Sequence, residues 1–147
     1  MQGLTRRVAA LALLACTAMA GPAVAQQTDF SGTFSFQTED LDPGPRFSLI
    51  SGYAYSEAAG DGTYLITLVA TQYQQTEQSR GRVYALQACV GRPSGRDIAI
   101  VCEVSGSTST RNYLPDNFIL RPSGEELIWQ GEVTSSGSAG VEFLLIQ

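Results

Sequence analysis

The chain has 147 residues with 14 Asp and Glu against nine Arg, and it contains neither lysine nor histidine. That acidity disfavours nucleic acid as a partner, because affinity for a phosphate backbone rests on neutralisation by Lys and Arg. The missing histidine removes Ser-His-Asp and Cys-His catalysis, His-ligated zinc and the usual general base near neutral pH, so a metal site would need carboxylates alone.

The chain opens with "MQGLTRRVAALALLACTAMAGPAVAQQ". Arg6 and Arg7 precede an uncharged apolar run from Val8 to Ala20, Pro22 breaks it, and Ala23-Val24-Ala25 offers small residues at a cleavage site. This reads as a secretory signal peptide over residues 1–25, too short to span a bilayer comfortably. A single domain over residues 26–147 is expected, periplasmic or secreted from a bacterium, with no transmembrane span. Leu13-Leu14-Ala15-Cys16 offers a second reading, a lipoprotein anchored at Cys16. With the leader removed, seven Arg face fourteen acids, a net charge of −7, which favours solubility.

Period two dominates the rest. Phe30, Phe34 and Phe36 fall on even positions of the first strand. Phe47, Leu49, Tyr53 and Tyr55 alternate in the second, and Tyr64, Ile66 and Leu68 in the third. Strands are then expected over 82–90, 97–104, 117–121, 126–133 and 141–147, separated by polar stretches rich in turn residues. No stretch of ten residues has helical spacing with a cap. The fold class is therefore all-β, an antiparallel eight-stranded meander. It closes into a barrel, which removes exposed edges, or forms a two-sheet sandwich. Most strands read as shorter than the nine to eleven residues of an outer-membrane barrel.

"DFSGTF" at the first strand resembles the Gly-x-Trp opening of lipocalin-like and avidin-like barrels, with Phe34 in the place of Trp. The resemblance implies an eight-stranded barrel outline and carries over no ligand and no site residue.

"ACVGRPSGRDIAIVC" holds Cys89 and Cys102, the only cysteines after the leader. An even count in an oxidising compartment points to a disulfide. Placing Cys89 opposite Cys102 puts Ser94 opposite Asp97, with Gly95-Arg96 as a two-residue loop and glycine first, as a type II′ turn requires. No Cys-x-x-Cys spacing points to redox chemistry, so the bond is read as structural.

Trp129, the only tryptophan, lies in phase with Leu127 and Val133 and is read as a core aromatic or a ligand-stacking wall. Tyr53 and Tyr55 join it as candidate interior residues. In an eight-stranded barrel the interior has room for side chains or for one small ligand. The many aromatics, Phe118 and Phe143 among them, favour filling. The loop "SGSTSTRNYLPD" holds a candidate binding set, Arg111, Tyr113 and Asp116, because loops on rigid β-scaffolds often carry binding residues. Asp29, Asp61 and Asp97 sit at turns, and Asp40/Asp42 and Glu125/Glu126 are adjacent without the spacing across a cleft that glycosidases use. No Gly-x-Ser-x-Gly elbow occurs. Leu65 and Val69, and Leu144 and Ile146, give two strands a second apolar face, which asks for cover by the chain or by a second copy.

No catalytic residue, metal or cofactor is called for. The expected function is that of an exported non-catalytic envelope protein binding another protein or a small ligand. A hydrolase inhibitor, a lipid-tethered structural component and a carboxylate- or tyrosine-dependent enzyme are the alternatives.

Overall fold

A computed structural model describes residues 29–42, 47–109, 112–135 and 138–147, Phe47 by its backbone alone. The leader, Cys16 and Arg111 lie outside the described residues. Eight strands follow one another: β1 Gly32–Thr38, β2 Phe47–Ala58, β3 Tyr64–Gln75, β4 Arg80–Ser94, β5 Asp97–Ser107, β6 Phe118–Pro122, β7 Ile128–Val133 and β8 Ala139–Leu145. Each pairs antiparallel with its chain neighbour, and β1 pairs with β8, so the meander closes into a barrel.

Turn chemistry sets the β4–β5 register. Ser94 pairs with Asp97 and Cys89 with Cys102. Gly95 has φ 62° and is the only residue of the loop with a positive φ, which matches a type II′ turn. Cys89 and Cys102 are bonded, S–S 2.02 Å, with both side chains inside the barrel.

The wall is lopsided. Strands β2 to β5 hold 12, 12, 15 and 11 residues, against 7, 5, 6 and 7 for β1, β6, β7 and β8. At about 3.3 Å per residue, the strands of one side are roughly 40 Å long and those of the other roughly 20 Å. The alternation visible at Tyr64, Ile66 and Leu68 holds to Ala70, and β3 then runs on through half-buried and exposed residues to Gln75. At the end of the barrel that carries the β5–β6 loop, β2, β3 and β4 keep pairing out to Phe47, Gln75 and Arg80 after their neighbours have stopped.

Leu127, expected inward with Trp129, sits instead in the turn before β7, half-exposed and with φ 72°. The turn after Gly124 ends one residue later than the apolar pattern implies.

Two glycines allow the wall to bend. A Cβ on Gly131 would stand 1.8 Å from the carbonyl oxygen of Ile119 on the neighbouring strand, and one on Gly52 would stand 1.9 Å from that of Val69. Glycine in a strand commonly marks such close backbone approach. A Cβ on Gly81, by contrast, meets nothing within 4 Å. Gly131→Ala should therefore lower the urea midpoint strongly, while Gly81→Ala leaves it within error. Equal effects from the two substitutions would contradict the close approach.

Candidate functional site

The interior is packed with aromatic rings. Phe30 and Phe34 stack with centroids 4.4 Å apart, Phe36 and Phe143 at 5.0 Å, and Trp129 meets Phe30 edge-on at 4.9 Å. Phe118 and Phe143 meet at 5.3 Å. Phe30, Phe34, Phe36, Tyr64, Phe118, Trp129 and Phe143 are all buried. Such edge-to-face and offset contacts add to plain area burial. Phe30 precedes β1 and fills the end of the barrel where β1 begins and β8 ends. There Asp29 accepts hydrogen bonds from the Ser31 hydroxyl at 2.8 Å and from the Ser31 amide at 3.0 Å.

Tyr53 and Tyr55 are not interior residues. They are 49% and 48% exposed, and Ile50, Ala54 and Ser56 face inward in their place. Alternation points to the side of Leu49, Tyr53 and Tyr55, yet the smaller side, with Ile50, Gly52, Ala54 and Ser56, is the one turned inward. The choice is made by volume, because rings from β1 and β8 already occupy the space that two more tyrosines would need.

The opposite end closes with polar groups. The loop from β5 to β6 folds back so that Asp116 is 1% exposed, beneath Gln87 on β4. Gln87 Nε2 donates to Asp116 Oδ2 at 2.6 Å, and the Asp116 amide donates back to Gln87 Oε1 at 2.8 Å. The Tyr113 hydroxyl donates to the same Oδ2 at 2.9 Å. Loss of water pushes the Asp116 carboxyl above its ordinary value, partly offset by the Gln87 and Tyr113 hydrogen bonds. Burial, then the Asp116 charge, raises the Tyr113 hydroxyl in turn. Of the candidate binding set, then, Tyr113 and Asp116 are brought together, but as a latch facing inward. Nothing in the sequence pointed to Gln87, which is 29 residues from its partner.

The remaining carboxylates behave as turn and surface groups. Asp29 bonds Ser31, Asp61 bonds Thr63 and Asp40 bonds the amides of Asp42 and Ser48. Asp97 forms an exposed ion pair with Arg121 at 3.0 Å. Among the described residues, no three carboxylates or cysteines gather where a metal could bind.

The surface that stands out is the outside of the tall wall. Tyr53, Tyr55, Leu65, Val69, Tyr84, Leu86 and Val101 are each at least 41% exposed, and all lie on the outer face of β2 to β5. Registers place Tyr53, Val69 and Leu86 in one row, and Leu65, Val90 and Val101 in another with Glu57. A shallow groove of about 580 Å³ crosses this face beside Tyr55, Leu65 and Val101, with Glu57, Arg92 and Glu103 on its border. At the other end of the same face, the Arg82 guanidinium lies 5.1 Å from the Tyr73 ring. The outer side of the short wall is mixed: Ser35, Gln37, Gln130, Glu132 and Glu142 lie among Ile119 and Leu144, which are 47% and 40% exposed. The second apolar face at Leu65 and Val69 was visible in the sequence. Its extension through Tyr53, Tyr55, Tyr84 and Leu86 was not, because the β2 tyrosines read as interior. Leu144 and Ile146, the other second face, are 40% and 51% exposed on β8 and just after it.

The chain matches no protein-family model, no curated protein and no solved structure.

The latch has a pH signature. A carboxyl whose folded pKa is raised favours the folded state below its unfolded value near 3.8 and loses that contribution as pH rises through the folded value. Asp29 and Asp61, whose pKa values are lowered, act in the opposite sense, equally in wild type and in an Asp116 variant. Stability of wild type relative to Asp116→Asn should therefore fall between pH 3.5 and pH 7 in urea unfolding. A constant difference over that range would contradict a desolvated carboxyl.

Proposed function

We propose that this is an exported, non-catalytic binding protein that contacts a polypeptide partner through the outer face of its tall wall. The observation that carries the reading is the contrast between a barrel filled with aromatic side chains and a wall that exposes Tyr53, Tyr55, Leu65, Val69, Tyr84, Leu86 and Val101 together. These seven residues, each at least 41% exposed, share one outer face across adjoining strands, and grouped exposed apolar residues mark an interaction site where scattered single ones do not. Tyrosine and arginine are the residue types enriched at interface centres, and four tyrosines with Arg82 and Arg92 lie on this face.

Three further features support the reading. Rings occupying the interior favour a partner outside it over a ligand within it. The one buried carboxylate among the described residues, Asp116, is tied to Gln87 and Tyr113 away from solvent, where it meets no substrate. Gln37, Gln130, Glu132 and Glu142 on the outer side of the short wall interrupt the continuous apolar band that lipid requires around a membrane barrel. The disulfide and the leader fit an oxidising envelope compartment. A hydrolase inhibitor would use the same face, and a lipid tether at Cys16 would leave it free.

Site-specific photocross-linking in the exporting cell tests this. A photoreactive residue replacing Tyr55 should trap a polypeptide in a discrete product, and the same residue replacing Gln130 on the short wall should not. Products of equal yield from both walls, or none from Tyr55, would remove the tall wall as the binding surface.

A further inference from the structure

We propose that Asn112–Asp116, the last part of the loop from β5 to β6, is a lid over one end of the barrel, held shut through the Asp116 carboxyl and released as that carboxyl loses its proton. The lid concerns the barrel end and is independent of what the outer wall contacts.

The way this segment is attached carries the inference. Just after it the chain is fixed to the frame. The Asn117 amide donates to Ser135 Oγ at 2.9 Å, the Thr134 amide to the Asn117 carbonyl at 2.8 Å, and the Cys102 amide to Asn117 Oδ1 at 2.8 Å. Before it, Thr108 is fixed to β4. Its amide donates to the Tyr84 carbonyl at 3.0 Å, and its hydroxyl accepts from the Tyr84 amide at 3.0 Å. The β5–β6 ladder covers only Ile98–Ile100 and Phe118–Leu120, so it stops short of the segment. Among the described residues, the hydrogen bonds from Asn112–Asp116 to the barrel are those between Asp116 and Gln87. A segment tied through one residue opens more readily than the ladders beside it.

The chemistry of that tie makes it pH-dependent. Both donors to Asp116 Oδ2, the Gln87 amide nitrogen and the Tyr113 hydroxyl, are neutral. The buried residues that the strands present at this end, from Thr38 on β1 to Ala139 on β8, carry no charge, and the two cysteines are bonded. Of the charged residues nearby, Glu39, Arg80, Arg82, Glu103 and Glu132 are exposed. Asp40 accepts from the amides of Asp42 and Ser48. Among the described residues, Tyr113 is the one titratable group that acts on Asp116, and its own hydroxyl is raised and stays protonated. A carboxylate buried without a cation is costly, so the group keeps its proton or moves into water. Opening the lid moves it into water, where its value returns to near 3.8. Above that pH the open form gains by ionising before the closed form does. Acid therefore shuts the lid, and rising pH loosens it. Release uncovers Gln87, with Leu68 and Val104 beside it in the register.

Amide hydrogen exchange on the folded, oxidised protein tests the lid, with the Asp116 amide as reporter because it bonds Gln87 in the closed form. Its protection, referenced to an unstructured peptide of the same sequence, should fall at least about threefold from pH 4 to pH 7. It should stay below that of amides in the β2–β3 ladder throughout. Asp116→Asn should abolish the fall at residue 116. In wild type, which needs no variant to fold, the carbon-13 signal of the Asp116 carboxyl should titrate above 3.8. Four results would each overturn the lid: protection at Asp116 that holds steady or rises over this range, protection equal to that of the ladder, an undiminished fall in Asp116→Asn, or a carboxyl that titrates at or below 3.8.

Discussion

The volume inside an eight-stranded barrel is the constraint from which the other features follow. Such a barrel has room for one layer of side chains or for one small ligand, and here β1, β6, β7 and β8 supply Phe34, Phe36, Phe118, Trp129 and Phe143 to the same space. Phe30 adds a ring from outside the strands and stacks on Phe34. Interiors at this density leave no room for further large groups. The long strands contribute mainly aliphatic and small residues inward, Ile50 and Ala54 from β2, Leu68 and Ala70 from β3, Cys89 from β4 and Ile98 and Ile100 from β5, with the ring of Tyr64 beside them. Tyr53, Tyr55 and Tyr84 of the same strands lie on the outside. The filled core and the apolar outer face are two consequences of one packing problem.

The ends of the barrel obey a second rule, that buried polar groups must be satisfied. Each end carries an aspartate that accepts hydrogen bonds, Asp29 from Ser31 and Asp116 from Gln87 and Tyr113. The Asp29 end is open to water, and its hydrogen bonds to Ser31 hold the carboxyl below its ordinary value. The Asp116 end is dry, and loss of water pushes the carboxyl the other way. The same carboxyl group thus has opposite electrostatics according to depth. The Asp116 latch also ties the described part of the longest loop between strands to the barrel end.

Much of the fold was legible because its signals are local. Alternation marked eight strands, Gly95 and the paired cysteines fixed the β4–β5 register, and Asp at turns was read for its hydrogen bonds to the next residues. Three features were not legible, and each depends on something distant in the chain. Tyr53 and Tyr55 lie on the more apolar side of β2, and that side faces outward because rings contributed from β1 and β8 fill the interior. Asp116 looked like a loop residue because Gln87, its partner, is on another strand. Leu127 fits the β7 alternation and is excluded from it only by the turn that begins at Gly124. The tall wall was half visible, through Leu65 and Val69, and became a surface only when the register aligned four strands.

The account turns on whether the barrel is full, and Trp129 is the residue that reports on it. Unfolding Trp129→Ala in urea, beside wild type at the same pH, gives the answer in one comparison. A filled core predicts a loss of about 3–5 kcal/mol, the usual cost of removing a large buried aromatic. A variant nearly as stable as wild type, together with saturable quenching of wild-type Trp129 fluorescence by an apolar ligand, would mean a hollow barrel with its binding site inside.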